Sequence, residues 1–154
     1  FENSDIHEGI DSTLNILNSS IKNKIEIIKD YGNFGKIECY PDQLNQVFMN
    51  LISNAVQAMP EDKITSKDAK IWISTTKKDD KIIITIKDNA SGIPKDFLNR
   101  IFDPFYTTKP VGEGTGLGLS ITYGIIEKHD GKIEVQSEEN KGTTFIITLP
   151  AHQN

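Results

Sequence analysis

A run of alternating glycines is the segment of this chain whose composition points most directly to chemistry. Gly112, Gly114, Gly116 and Gly118 are four of the eleven glycines in the sequence, and a helix is predicted to follow over Leu117–His129. Glycine lets a ligand approach the backbone, and a helix N-terminus presents unpaired N–H groups at the positive end of its dipole. We therefore predict an anion site, although the spacing matches neither the P-loop nor the GxGxxG pattern. A flexible hinge without a ligand is the alternative.

A stripe of uncharged amide side chains lies on the strongest predicted helix, which begins at Pro41 and stops at Pro60. Its members follow one another at steps of three or four residues and share one helix face: Gln43, Gln46, Asn50, Asn54 and Gln57. A solvated face normally carries Lys and Glu, so amides favour contact with phosphate or a hydrated metal ion. The alternative interpretation is an ordinary solvent-exposed helix surface that contacts no ligand.

The third candidate feature is the polar loop Asp88–Pro94, which follows the apolar strand Ile82–Ile86. Functional loops are often carried at strand ends on a rigid scaffold. An acidic side chain at that point can accept a hydrogen bond from a ligand. A turn selected for its asparagine and glycine explains the same residues without a ligand.

Periodicity along the rest of the chain indicates the elements that position these features. Helices are predicted from His7 to about Ser20 with Asp5 as a cap, from Pro41 to Pro60, over Asp96–Phe102 and over Leu117–His129. Strands are predicted over Lys24–Lys29, Ile37–Tyr40, Lys70–Lys77, Lys81–Lys87, Lys132–Ser137 and Thr143–Leu149. The order favours a single α+β domain over residues 1–154, a two-layer sandwich in which helices cover one face of a mixed sheet.

Composition excludes some classes of partner but not a nucleotide. The net charge of the 154 residues is −5 and no long basic run is present, which argues against nucleic acid or an anionic membrane as the main partner. The single cysteine, Cys39, is interpreted as a packing residue, and no apolar run approaches the ~18 residues of a membrane span. We expect a cytoplasmic domain. Because the chain begins at Phe1, we interpret it as a fragment of a longer protein that can itself be membrane-anchored.

Four blocks, in this order, resemble the ATP-binding domain of sensor histidine kinases. Gln46–Ala55 resembles the asparagine box of that family, and Asp88–Pro94 resembles its first glycine box. Ile101–Lys109 resembles the phenylalanine box, and Gly114–Ser120 the second glycine box. The tail Gly131–Phe145 also matches, so the resemblance extends over nearly the whole chain.

The resemblance implies the Bergerat ATP-binding fold shared with gyrase, HSP90 and MutL, a mixed sheet under three long helices. It assigns Asp88 to the exocyclic amine of adenine, Gly92 to close approach of the base, and Asn54 to Mg²⁺ held by the phosphates. It places Asn50 beside Asn54, and Phe102 and Phe105 as anchors of a lid over Tyr106–Gly114.

The resemblance also implies roles at the phosphates and at adenine. It assigns Gly116, Leu117 and Gly118 to the phosphates and Thr144 to adenine, and Lys109 either contacts the γ-phosphate or is solvated. The remaining implied site positions are Ile93, Thr107, Thr108, Gly114 and Thr115.

The implied function is transfer of the γ-phosphoryl group of Mg-ATP to a histidine on a separate helical dimerisation domain, in two-component signal transduction. The implied cofactors are therefore ATP and Mg²⁺. The implied partners are the upstream phosphoacceptor domain, through it the receiver domain of a response regulator, and a second copy of the parent protein.

Three alternatives are weighed against the kinase. An ATPase of the gyrase or HSP90 type carries a water-activating glutamate at the position of Asn50, and an amide cannot act as that base. A nucleotide-binding module without transfer activity is supported only by Ala90, which stands where the family usually has glycine. An anti-sigma serine kinase is disfavoured by the lid and the full phenylalanine box. Gln57 stands where many kinases carry Lys or Arg, so one phosphate contact is expected to be absent.

The isolated chain is not expected to phosphorylate itself, because none of its three histidines is suitably placed. His7 opens a helix inside the ATP domain, and no proline follows it at the spacing of the family's acceptor motif. His129 ends a helix and is interpreted as a cap or packing residue, where a cation suits the dipole. His152 lies in the C-terminal tail.

Overall fold

The computed structural model describes residues 1–103 and 118–153 and confirms the predicted α+β class. Its helices are α1 Ile6–Ile16, α2 Asn18–Ile21, α3 Pro41–Gln57, α4 Glu61–Thr65 and α5 Gly118–Lys128, with a 3-10 helix over Lys95–Arg100. Its strands are β1 Glu2–Ser4, β2 Glu26–Tyr31, β3 Ile37–Cys39, β4 Lys70–Lys78, β5 Lys81–Asp88, β6 Lys132–Glu138 and β7 Gly142–Pro150.

A five-stranded mixed sheet in the order β2-β4-β5-β7-β6 supports the site. β2 runs parallel to β4, and the other neighbouring pairs are antiparallel. Along β5 the buried residues Ile82, Ile84 and Ile86 alternate with less buried ones, as expected when helices cover only one face of a sheet. Because β5 is the central strand, its last residue, Asp88, is flanked on both sides by other strands.

The predicted amphipathic helix α3 packs its apolar stripe into the core. Pro41 occupies the first position, where a missing N–H costs no hydrogen bond, and Asp42 follows in the first turn. The stripe is buried as predicted: Leu44, Val47, Phe48, Leu51, Ile52 and Ala55. Each large side chain among them contributes about 1.5–3 kcal/mol by burial. The helix ends at Gln57, slightly before the predicted stop at Pro60.

The shortest elements are the ones that the sequence pattern does not indicate. The predicted N-terminal helix is divided at Leu17 into α1 and α2, although Asp5 caps its start as predicted, its Oδ1 accepting the backbone N–H of His7 at 2.9 Å. β1 pairs antiparallel with β3, and α4 forms within the charged connection after Pro60. Such short elements depend on tertiary contacts rather than on local propensity.

Two further expectations have a structural outcome. Cys39 is buried in β3 as a free thiol, which agrees with a packing role. Among the helices described in residues 1–103 and 118–153, none is long and apolar enough to cross a bilayer.

Candidate functional site

Asp88 is a buried carboxylate at the end of the central strand, with 7% of its surface exposed. Its Oδ1 accepts the backbone N–H of Ala90 at 3.0 Å and that of Thr143 at 3.2 Å. Burial raises the pKa of Asp88 above its usual range, against the two backbone hydrogen bonds that lower it. No residue of the described ranges donates to the other oxygen, Oδ2. The side chain therefore presents one fixed oxygen and one that is available as an acceptor.

The loop after Asp88 is packed backbone to backbone against the turn between β6 and β7. Gly92 has a φ of +74°, and a Cβ there would collide with the carbonyl oxygen of Glu138. Gly142 has a φ of +127°, and a Cβ there would collide with the carbonyl oxygen of Asp88. Both glycines are thus required by the protein's own backbone, which is a reason for Gly92 that involves no ligand.

Ser137 connects the loop to this turn through one hydroxyl group. Its Oγ accepts the backbone N–H of Ile93 at 2.8 Å and donates to the carbonyl oxygen of Gly142 at 2.9 Å. It also lies 2.8 Å from the Oγ1 of Thr143. The predicted site residue Ile93 is consequently held close to the strand that carries the second donor to Asp88.

The threonine beside Asp88 is Thr143, and the predicted candidate Thr144 lies elsewhere. Thr144 pairs with Lys87 and Gln136, which are exposed on the opposite face of the sheet. Side chains alternate between the two faces along a strand, so neighbouring residues cannot both face the same site. Thr143 is 7% exposed and shares the face of Asp88.

Ala90 fits the loop without backbone strain. It is fully buried, its backbone does not adopt a positive φ, and its N–H is one of the two donors to Asp88. The preceding residue, Asn89, holds the loop to the start of β4: its Oδ1 accepts the N–H of Lys70 at 2.9 Å, and its Nδ2 donates to the carbonyl oxygen of Asp68 at 2.7 Å. The methyl group at Ala90 therefore gives no structural support to a degenerate site.

Asn50 links α3 to the beginning of α5. Its Nδ2 donates to the carbonyl oxygen of Gly118 at 3.0 Å and to the Oγ1 of Thr122 at 3.2 Å, and its Oδ1 accepts from Nε2 of Gln46 at 2.8 Å. The amide stripe is therefore not simply a solvent-exposed helix surface, nor is all of it available to a ligand, because part of it joins two helices. Gln43, at the start of the stripe, has a buried Oε1 to which none of the described residues donates a hydrogen bond.

Asn54 lies one turn after Asn50 on α3 and is half-buried. The end of the same helix is joined to the Asp88 loop, because the N–H and the hydroxyl of Ser91 both donate to the carbonyl oxygen of Ala58, at 3.2 and 3.1 Å. The structure thus joins the helix that carries Asn50 and Asn54 to the loop that follows Asp88. No group of three or more His, Cys, Asp or Glu side chains in the described residues is arranged to hold a metal ion.

Phe102 is half-buried, and its ring lies 5.4 Å from that of Tyr123 on α5. The remaining predicted site residues lie outside the described residues: Phe105, Thr107, Thr108, Lys109, Gly114, Thr115, Gly116 and Leu117, and with them the predicted lid Tyr106–Gly114. Gly118 is described, as the first residue of α5.

Comparison with protein families decides the class of this site. Residues 39–153 match the family described as histidine kinase-, DNA gyrase B- and HSP90-like ATPase. The chain belongs to this family. The match includes the Asp88 loop, Asn50 and Asn54 of α3, and all of α5.

Relatives within the family are sensor kinases. Sporulation kinase E of Bacillus subtilis is 39% identical over the whole chain, which spans only 20% of that protein's length. The catalytic domain of histidine kinase ThkA, solved nucleotide-free, superposes with a TM-score of 0.83 at 31% identity, covering 99% of this chain and 96% of that one. ThkA in complex with response regulator protein TrrA superposes with a TM-score of 0.79 at 28% identity, covering 98% of this chain and 42% of that one. The chain is therefore a histidine kinase ATPase domain of the kind found in two-component sensor kinases.

Sequence reasoning missed Ser137 and Thr143. The alternation of side chains along β7 could have identified Thr143, since residues 143, 145 and 147 face the same side of the sheet and Phe145 and Ile147 are buried. The apolar residue Ile146 lies between them and obscures that phase, because both faces of β7 carry large aliphatic side chains.

In the nucleotide-free protein, we expect Asp88→Asn to maintain or raise stability near neutral pH. An amide oxygen accepts the same two backbone hydrogen bonds without burying a charge. Because burial raises the pKa of Asp88, the stability that its protonated form contributes is lost as pH rises from the usual aspartate range through the raised value. Urea unfolding at several pH values should show this loss in the wild type and not in the Asn variant.

Asp88→Leu is the matched control for this measurement. It removes the charge together with the acceptor and leaves two buried N–H groups unpaired, at a cost of about 1–3 kcal/mol each. An Asn variant as unstable as the Leu variant would contradict the interpretation that the carboxylate is carried at a cost in stability.

Proposed function

We propose that this domain binds Mg-ATP and transfers its γ-phosphoryl group to a histidine on a separate dimerisation domain of the parent protein. The observation that carries the proposal is the buried Asp88 carboxylate, with Oδ1 fixed by two backbone donors and Oδ2 available. A fixed, desolvated acceptor of this kind suits a neutral N–H donor on a flat heterocycle, and the exocyclic amine of adenine is such a donor. Guanine would present a carbonyl oxygen to Oδ2 of Asp88, and because both atoms only accept hydrogen bonds, no bond could form.

The phosphate end of the nucleotide is assigned to α5. The helix follows directly on the glycine-rich run, and an α-helix N-terminus attracts anions through its unpaired N–H groups and its dipole. Asn50 holds the carbonyl oxygen of Gly118 and so fixes the first residue of α5 against α3. Adenine recognition and phosphate recognition are therefore carried by two segments that contact the same helix.

Asn54 is proposed as the protein's ligand to Mg²⁺. The described residues contain no carboxylate cluster that could hold a divalent ion alone. A single amide oxygen from the protein fits Mg²⁺, because this ion keeps several water ligands and takes phosphate oxygens rather than a complete set of protein ligands. When bound, the ion supplies charge neutralisation at the phosphates.

The histidines of this chain support an acceptor located on another segment. Nε2 of His7 lies 2.6 Å from the Oγ1 of Thr75, and its ring stacks on Tyr31. Thr75 pairs with Ile84, four residues from Asp88 along β5 and toward the opposite end of the sheet. His129 is fully buried, and His152 is exposed beside Glu38. Direct transfer needs an acceptor about 3–3.5 Å from phosphorus, and none of these arrangements favours one.

Partner recognition is proposed along the exposed surface of α5. Ile121 is 45% exposed in the first turn, which adjoins the proposed phosphate site, and Tyr123 is 41% exposed on a different side of the helix. Exposed apolar side chains on a helix beside a site that must deliver a phosphoryl group suit the upstream phosphoacceptor domain of the parent protein. The response regulator would receive the phosphoryl group from that domain, and the parent protein would act as a dimer.

A water-activating ATPase is less well supported than the kinase. Asn50 stands where ATPases of the gyrase or HSP90 type carry a water-activating glutamate, and the oxygen and nitrogen of its amide are both hydrogen-bonded within the protein. An amide side chain at this position cannot take a proton from water.

The first prediction from the proposed function is that the wild-type chain binds ATP in preference to GTP. An unpaired buried polar group costs about 1–3 kcal/mol, so GTP should bind roughly ten- to a hundredfold more weakly, and Asp88→Asn should weaken ATP by a similar factor. Calorimetric titration with both nucleotides measures the difference. Equal affinity of the wild type for ATP and GTP would contradict the role of Asp88.

The second prediction concerns the metal ion. Asn54→Ala should remove the Mg²⁺ dependence of nucleotide binding, because the variant lacks the proposed ligand oxygen, whereas Asn54→Asp keeps an oxygen and adds charge. ATP affinity is measured with and without Mg²⁺. Gln57→Ala, one turn further along the same helix and exposed, is the control that should retain the dependence. An Ala variant that binds Mg-ATP like the wild type would leave Asn54 with a structural role only.

The third prediction is that this chain alone remains unlabelled when incubated with radiolabelled ATP. A longer protein that includes the upstream helices should acquire acid-labile phosphate, since it would carry the acceptor histidine. Acid-labile phosphate on the isolated chain that disappears in His7→Gln would place the acceptor within this domain, against the proposal.

A further inference from the structure

The imidazole of His129 links the C-terminal end of α5 to Tyr40, the residue before α3. His129 follows α5 and is fully buried. Its Nδ1 lies 2.8 Å from the carbonyl oxygen of Ile125, and its Nε2 accepts the backbone N–H of Tyr40 at 3.0 Å. A carbonyl only accepts and an N–H only donates, so the ring is neutral and carries its proton on Nδ1. The cationic cap considered from the sequence is therefore not the state of this side chain.

Side-chain hydrogen bonds at both ends of α5 connect it with α3 and with the residue before α3. The near link is formed by Asn50, which donates to Gly118, the first residue of α5, and to Thr122 one turn later. The far link runs from His129 to Tyr40, at the residue before α3. On each helix the two points of attachment are about 15 Å apart, because an α-helix rises 1.5 Å per residue. Two attachments at that separation fix both the position and the tilt of one helix relative to the other.

The far link also explains why a polar ring occupies a buried position. Burying an imidazole is costly unless both nitrogens are hydrogen-bonded, whereas an aliphatic side chain would fill the space without that requirement. What the imidazole adds is a bond between two elements that are far apart in sequence. The end of α5 is otherwise well held, since Gln153 donates to the carbonyl oxygen of His129 at 2.9 Å and Gly131 to that of Ile126 at 2.9 Å.

We propose that His129 is a positioning residue for the phosphate end of the nucleotide: through Tyr40 it fixes α5 against α3 and so holds the N-terminus of α5 where the phosphates bind. The inference rests on the proposed function, since it assigns the phosphates to that helix end. His129 itself touches no substrate. It acts by preventing α5 from pivoting about the near link at Asn50.

Two amide substitutions separate the far link from the bond within α5. In His129→Gln the amide oxygen can occupy the place of Nε2 and accept from Tyr40, while the bond to Ile125 is lost. In His129→Asn the amide nitrogen can occupy the place of Nδ1 and donate to Ile125, while the bond to Tyr40 is lost. Each variant keeps one of the two hydrogen bonds, so a merely structural role predicts similar behaviour for both.

The expected result is a difference between the two variants that is confined to phosphate binding. His129→Gln should bind ATP within about twofold of the wild type, and His129→Asn about five- to tenfold more weakly, the worth of one hydrogen bond. Adenosine, which lacks phosphates, should bind equally to both. In the nucleotide-free protein, the backbone amide resonance of Gly118 should shift in the Asn variant and not in the Gln variant. Ile82→Val, a truncation in the core at the far end of β5, controls for general loss of stability.

Equal weakening of ATP in the Gln and Asn variants, or adenosine binding that weakens in step with ATP, would overturn the proposal and leave His129 as a packing residue. A wild-type chain that binds no ATP would contradict the proposed function instead. The Gly118 resonance would then still decide whether His129 positions α5, because that measurement needs no ligand.

Discussion

The burial of one carboxylate at the end of the central strand is the constraint on which the site depends. Desolvation disfavours the charge of Asp88, and the two backbone N–H groups that bind Oδ1 offset part of that cost. One donor belongs to the loop after β5 and the other to β7. Around this acceptor the backbones lie so close together that a Cβ at Gly92 would collide with Glu138 and a Cβ at Gly142 would collide with Asp88. The buried carboxylate and the close backbone packing around it therefore belong to one arrangement.

The second half of the site is determined by the pairing of α3 with α5 rather than by the sheet. α3 is held in place by its buried apolar stripe and by its junction with the Asp88 loop at Ala58. α5 has a much smaller buried face, with Thr122 and Ile126 as its buried residues, and is attached to α3 through side-chain hydrogen bonds at both ends. A helix with little apolar burial depends more strongly on such directional bonds. This explains why polar residues, Asn50 and His129, lie at its contacts with α3.

Much of the architecture was predictable because it depends on local period. The 3.6-residue stripe of α3 and the alternation along β5 identify their buried faces without tertiary information. The order of the four sequence blocks predicted the family, and the family match over residues 39–153 confirms it. The short elements β1 and α4 were not predictable, since they have too few residues to form a pattern, and β1 also depends on pairing with the distant strand β3.

The sequence by itself determined the class of protein, the helix that carries the asparagines and the acidic residue at the end of the central strand. It could do so because the helix and the strand end depend on neighbours a few residues away, and because the class follows from the order of short blocks along the chain. Only the tertiary structure decided that Thr143 rather than Thr144 adjoins Asp88, that Ser137 joins loop to turn, and that His129 reaches Tyr40. Strand phase is ambiguous where both faces carry aliphatic side chains, and hydrogen bonds between residues 40 and 129 exist only once the sheet and helices have brought those backbones together.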